Sequence, residues 1–217
     1  DAAADAELVV VIRLHGPLPF RSLDVGSRKV TLRAGEGFTP ELTFNPEQVP
    51  TGDGEAILFR LHDGEIHFDQ VALRLTPLRE RDATKLQALI SISGTGRARL
   101  KNCLVTLNED PGSTRTGLAA LADPTGSMMG GGGKPPRPGQ PSVELENCLV
   151  RGGGDLVLVR ASRPFQLDVK NALVAIAGSL LTIEGNRPEA SFPSDGAQLM
   201  MERVTAYLGQ SLVQLRA

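Results

Sequence analysis

The sequence predicts an all-β fold, a single-stranded parallel β-helix (solenoid) of about six to seven coils with loop insertions, and three observations carry that expectation. One six-residue block with the pattern apolar, charged, Asn-like, small apolar, any, apolar recurs five times. A four-residue block headed by leucine accompanies it, also five times. The composition, with 24 Gly and 15 Pro in 217 residues, promises frequent turns and few long helices.

The first block occupies 68–73, 100–105, 145–150, 169–174 and 201–206, and the second 58–61, 89–92, 156–159, 180–183 and 212–215. In the last three copies the leucine follows the Asn-like position by nine residues, from 147 to 156, 171 to 180 and 203 to 212. Asn147 to Asn171 sets a period of 24; the longer intervals of 32 (Gln70 to Asn102) and 45 (Asn102 to Asn147) read as loops inserted between coils. The stretch 118–121 reads as a sixth, degraded copy of the second block. Each block alternates with period 2, which predicts strands with one buried face. Three short strands per 24-residue turn, with no helical stretch between them, describe one coil of a β-helix. A propeller blade would need about forty residues, and a leucine-rich repeat its own leucine and asparagine spacing.

Stacked coils bring equivalent residues to about 4.8 Å from one another and turn the blocks into columns. Val71, Cys103, Cys148, Ala172 and Val204 form an inward column of small side chains. Gln70, Asn102, Asn147, Asn171 and Arg203 form a structural ladder at the turn, where Asn tolerates a left-handed backbone and its amide reaches the copy above or below. Asp69, Lys101, Glu146, Lys170 and Glu202 form an outward column of alternating sign. Ala72, Leu104, Leu149, Leu173 and Thr205 also face outward, and the three leucines make an apolar stripe that monomers usually avoid.

The chain divides into a lead-in or first coil at 1–27 and the β-helix at 28–217, with a flexible Gly/Pro-rich insertion at 108–141. It opens on Asp1 and an Ala/Asp-rich stretch, which reads as a fragment or a processed product of a longer protein. The segment 29–38, with 41–44 after it, resembles the first coil of right-handed parallel β-helix proteins of the pectin-lyase-like superfamily. The Leu-x-Asn-Cys-x-Val copies at 100–105 and 145–150 are similar to the rungs of that superfamily. More narrowly, residues 28–215 resemble β-helix segments found in large bacterial proteins alongside serine/threonine kinase domains. The resemblance implies a right-handed coil, the hand that parallel crossovers also prefer.

Charge and motifs narrow the function. With 23 Lys plus Arg against 25 Asp plus Glu and a net charge of -2, the chain has no electrostatic footprint for nucleic acid. No run approaches the roughly eighteen apolar residues of a membrane helix, so no membrane insertion is expected within this chain. One Tyr, seven Phe and no Trp leave little aromatic surface for stacking sugars or bases. Polysaccharide-cleaving relatives carry clustered acids, often with calcium or a catalytic Lys or Arg, and the sequence lacks their Gly-His-Gly, Asp-Asp and Asn-Thr-Asp motifs. Glu65, His67 and Asp69 share one outward face, but residues two apart on a strand lie about 7 Å apart, so Glu65 and Asp69 are too distant to share one ion. His15 reads as a turn residue before Gly16. Gly130–133 and Lys134 are followed by prolines instead of Ser or Thr and a helix, which excludes a P-loop, and no His-Arg-Asp or Asp-Phe-Gly motif supports kinase chemistry.

Cys103 and Cys148 read as buried core fillers without metal spacing, although stacking leaves a disulfide between them sterically open. No metal or cofactor is expected. The leading expectation is a non-catalytic recognition or protein-interaction module of a larger bacterial signalling or surface protein. Leu104, Leu149 and Leu173 would be its contact stripe, and the last coil at 212–215, with no readable capping helix, would be a second surface for a protein partner or for self-association. Two alternatives stay open: a polysaccharide lyase or hydrolase of the same fold with its site near His67 and Arg99, and a structural spacer or adhesin stalk. The compartment is undetermined; an extracytoplasmic part of a larger protein is one reading.

Overall fold

The computed structural model describes residues 7–45, 55–77, 86–108, 115–122, 139–160, 164–184 and 196–216. Every regular element among them is a strand. In chain order they are β1 (Glu7–Ile12), β2 (Gly16–Pro19), β3 (Leu23–Gly26), β4 (Lys29–Ala34), β5 (Pro40–Phe44) and β6 (Glu55–His62). Next come β7 (Glu65–Asp69), β8 (Ala72–Leu75), β9 (Leu86–Ser93), β10 (Arg97–Lys101), β11 (Leu104–Leu107) and β12 (Arg115–Ala122). The last are β13 (Ser142–Glu146), β14 (Leu149–Gly152), β15 (Asp155–Val159), β16 (Gln166–Ile176), β17 (Leu181–Glu184), β18 (Gln198–Leu208) and β19 (Val213–Arg216).

All pairings are parallel, and the chain visits three stacks in turn. The first stack runs β1, β4, β7, β10, β13; the second runs β2, β5, β8, β11, β14; the third runs β3, β6, β9, β12, β15, β17, β19. The long strands β16 and β18 each serve both the first and the second stack, because only one turn residue separates their two halves. The arrangement fits a parallel β-solenoid.

Between the stacks lies one continuous apolar core. The leucine that heads the second block is the clearest column: Leu58, Leu89, Leu118, Leu156 and Leu180 are all fully buried, and Leu212 in the last layer is exposed. Pairing across β9, β12 and β15 puts Leu118 between Leu89 and Leu156, so 118–121 is a true copy of the block. At about 1.5–3 kcal/mol for each large apolar side chain taken out of water, such columns supply the main drive to stack. The bend between first and second stacks needs a left-handed residue, and Gln70, Asn102, Asn147, Asn171 and Arg203 all adopt φ between 49° and 57°. At Gly152 (φ 114°) the layers approach so closely that a Cβ would run into the Leu107 carbonyl.

Three details differ from the sequence-based expectation. The stretch 108–141 is not one insertion, because β12 lies inside it and pairs with β9 and β15; the Gly/Pro-rich tract 123–138 lies outside the described residues. The strands β6, β9, β12 and β15 of the third stack are buried on both faces, where period 2 predicted one. Their outward Ile57, Ala88, Ala120 and Leu158 join Leu86 in a second small apolar cluster. These strands accordingly read as near-continuous apolar runs, as sheets covered on both sides do. Finally, the bend between β4 and β5 takes five residues, 35–39, in place of the single left-handed residue used farther along.

Candidate functional site

The turn ladder is a hydrogen-bonded file along the outside of the bend. Asn171 Nδ2 donates to Asn147 Oδ1 at 2.6 Å, Asn147 Nδ2 to Asn102 Oδ1 at 3.1 Å, and Asn102 Nδ2 to Asp69 Oδ1 at 3.0 Å. Each amide satisfies the next only because every Asn has the same positive φ. Cys103 and Cys148, one position further on, are both free and buried. Their thiols donate to the carbonyls of Lys101 and Glu146 at 3.2 and 3.3 Å. The hydrogen-bonding contact with Cys148, and then burial, push the Cys103 thiol well above its ordinary range. Such a thiol is an inert filler, not a nucleophile.

On the second stack the outward stripe is in register. Ala72 pairs with Leu104, Leu104 with Leu149, Leu149 with Leu173 and Leu173 with Thr205. Leu104 and Leu149 are half-buried, and Leu173 reaches 39% exposure. Two residues further along these strands runs a parallel column of Thr43, Arg74, Thr106, Arg151, Ala175 and Tyr207. Tyr207, 69% exposed, widens the stripe at its Leu173 end. Sequence reasoning stopped the block at Ala206 and so missed Tyr207; continuing the period-2 alternation by one more residue would have found it.

The first stack presents a charged outer face. His67 and Arg99 are register neighbours, so the structure does bring them side by side. Each, however, has a partner in place: His67 Nε2 lies 2.6 Å from Glu65 Oε1, and Arg99 donates to both Glu144 oxygens at 2.7 and 3.2 Å. The bonds to Glu144 raise the Arg99 guanidinium further above its ordinary value. At the edge of the same face, Thr31 Oγ1 donates to Glu7 at 2.6 Å and, with Lys29, holds that carboxyl low. The outward charged column alternates in sign as Arg33, Asp69, Lys101, Glu146, Lys170 and Glu202. Lys101 Nζ meets Glu146 at 3.4 Å, whereas Asp69 takes its hydrogen bond from Asn102.

Remaining candidates place as follows. His15 sits in the turn between β1 and β2, against the Phe38 ring at 5.0 Å and 3.2 Å from Thr39 Oγ1. A cleft of about 380 Å³ opens beside the five-residue bend, lined by Arg13, Arg33, Glu36, Asp69 and Gln70 among others. Among the described residues no group of three His, Cys, Asp or Glu side chains is placed to hold a metal ion. No helix among them is long and apolar enough to cross a membrane. No protein-family model, no curated protein and no solved structure matches the chain.

Proposed function

We propose that the chain is a non-catalytic recognition or protein-interaction module, a single-stranded right-handed parallel β-helix of seven coils akin to the pectin-lyase-like superfamily. In this reading it is the accessory part of a larger bacterial signalling or surface protein of the kinase-associated type. Grouping the strands by circuit, with β1, β2 and β3 as the first and β18 with β19 as the last, supports that coil count. The right hand follows from the preference of parallel crossovers. The observation that carries the functional reading is the in-register stripe of Leu104, Leu149 and Leu173, extended by Tyr207, on the outer face of the second stack. Apolar columns of that kind are rare on surfaces that stay in water.

The test is site-specific photocrosslinking in cells of the source organism, with the crosslinker at 149 or, as a control, at 99 on the charged face. A protein captured at 149 only, that then binds the purified chain and loses binding on Leu149→Arg and Leu173→Arg, supports the proposal. Release of reducing ends from pectin-like polymers, abolished by His67→Ala or Arg99→Ala, would replace it with the enzymatic alternative.

A further inference from the structure

We infer that the occupant of the leucine stripe is an acidic amphipathic α-helix of another protein, lying along the axis of the solenoid with one apolar residue on each layer. The inference rests on the proposal above that the stripe is a contact surface, and it names what seats there. Two observations carry it, the spacing of the leucines and the charge beside them.

Leu104, Leu149 and Leu173 stand in register on consecutive interior layers, so they repeat at about 4.8 Å along the axis and span about 9.6 Å. An α-helix rises about 1.5 Å per residue, so its face residues i, i+4 and i+7 span about 10.5 Å and stay within about 1 Å of the three leucines. An extended segment laid on the same line turns a side chain to the surface only every 6.8 Å or so, and its three contacts span about 13.5 Å, out of step by most of a layer. Nor can a partner add a strand here. The backbones of β8, β11 and β14 are already paired on both sides.

In the same three layers the flanks of the stripe are mainly cationic. Across the bend lie Lys101, Glu146 and Lys170, and two residues beyond the leucines lie Thr106, Arg151 and Ala175. Glu146 is tied to Lys101 at 3.4 Å. Exposed Arg151 has a 3.4 Å bond to Thr106 and, like exposed Lys170, no acidic partner among the described residues. These two cations stand on opposite sides of the Leu149 and Leu173 pair, so glutamates beside the apolar face of a helix complement both. A second copy of the chain is a poor source of that helix, because every regular element among the described residues is a strand. Three apolar anchors make a small contact, so affinity is modest and the charges set the choice of partner.

Three synthetic peptides, bound to the purified chain and read by fluorescence anisotropy, test the inference. Two are helical with leucine at i, i+4 and i+7, one flanked by glutamate and one by lysine; the third is an extended peptide of alternating leucine and glutamate. The glutamate-flanked helix should bind about tenfold or more tighter than the other two. Arg151→Glu combined with Lys170→Glu changes exposed side chains only, and should reverse the preference between the two helices. Leu149→Glu should abolish binding of the glutamate-flanked helix. Crosslinkers at 104, 149 and 173 should land on residues of a captured protein spaced as i, i+4 and i+7. An extended peptide that binds as well, a double variant that keeps the wild-type preference, or a captured protein whose contacts lack that spacing would overturn the inference and leave the stripe a contact surface. Failure of both helices to bind at millimolar concentration, with nothing captured at 149, would remove the inference and the contact surface together.

Discussion

Asn147 offers the sharpest test of how the bend is held. Its φ of 55° is one that L-residues other than Asn and Gly avoid, and its amide bonds both neighbours in the ladder. Replacing it with Ala keeps the left-handed backbone without the side chain that tolerates it, at about 1–2 kcal/mol. The two amide bonds are exposed, so water takes over their partners and their loss costs only about 0.5 kcal/mol each, the low end of the usual range. Asn147→Ala therefore costs about 2–3 kcal/mol. Asn147→Gly loses the same bonds but has no steric penalty at this φ, giving up only chain entropy of about 0.5–1 kcal/mol. Wild type should be most stable, then Gly, then Ala, with Ala melting roughly 4–12 °C below wild type for a chain of this size. Thermal unfolding followed by far-ultraviolet circular dichroism measures all three. An Ala variant that melts with wild type, or above Gly, would refute the claim that conformation and ladder together hold the bend.

Further outcomes follow from the same columns. Arg203 has φ 54° at the end of the ladder, so Arg203→Asn should raise stability by about 0.5–1 kcal/mol, read as a higher urea midpoint. Cys148→Asp puts a carboxylate inside the core and should abolish soluble expression, whereas Lys101→Ala removes an exposed ion pair worth about 0–1 kcal/mol and should melt close to wild type. The Cys103 thiol is held above its unfolded value, so its contribution is intact below about pH 8.5 and fades as pH rises, because the unfolded chain ionises first. Urea unfolding between pH 8 and 10 should therefore show an alkaline loss that Cys103→Ala reduces. Native protein should also leave both thiols unreacted toward a disulfide reagent until denaturant is added.

Much of this was legible because a solenoid writes its third dimension into its repeat. Once Asn102, Asn147 and Asn171 are aligned by block, their neighbours fall into inward, turn and outward columns, and the observed pairing keeps every one of those alignments. The two-faced burial of the third stack was hidden because a short run such as 156–159 is apolar at every position, and periodicity says nothing about such runs. The extent of the insertion was misjudged for a related reason: the small residues Gly117, Ala119 and Ala120 weaken the signal of β12, and at Gly117 there is little room for a larger one. A Cβ at Gly117 would press on the Leu158 side chain at 3.0 Å. The partners of His67 and Arg99 were partly hidden, since Glu65 is near in sequence but Glu144 lies 45 residues from Arg99 and meets it only through the register.

The alternating charges bear on something that the apolar columns leave open. Leu100, Leu145 and Val169 are core fillers of similar size and the exposed Met201 ends their column, so burial alone discriminates weakly between layers. Deleting 147–170 would remove one 24-residue period and lay Met201 on Leu145 with no loss of apolar contact. It would also lay Glu202 on Glu146 in place of Lys170. Opposite charges directly across paired strands stabilise by a few tenths of a kcal/mol and like charges cost a similar amount, so the difference at one position is modest. The pairs from Arg33 to Glu146 keep their opposite signs, so a skipped layer is marked by one like-charge pair at the junction. The apolar columns thus set which face of each strand points inward, and the charged column adds a small bias toward the native order of layers.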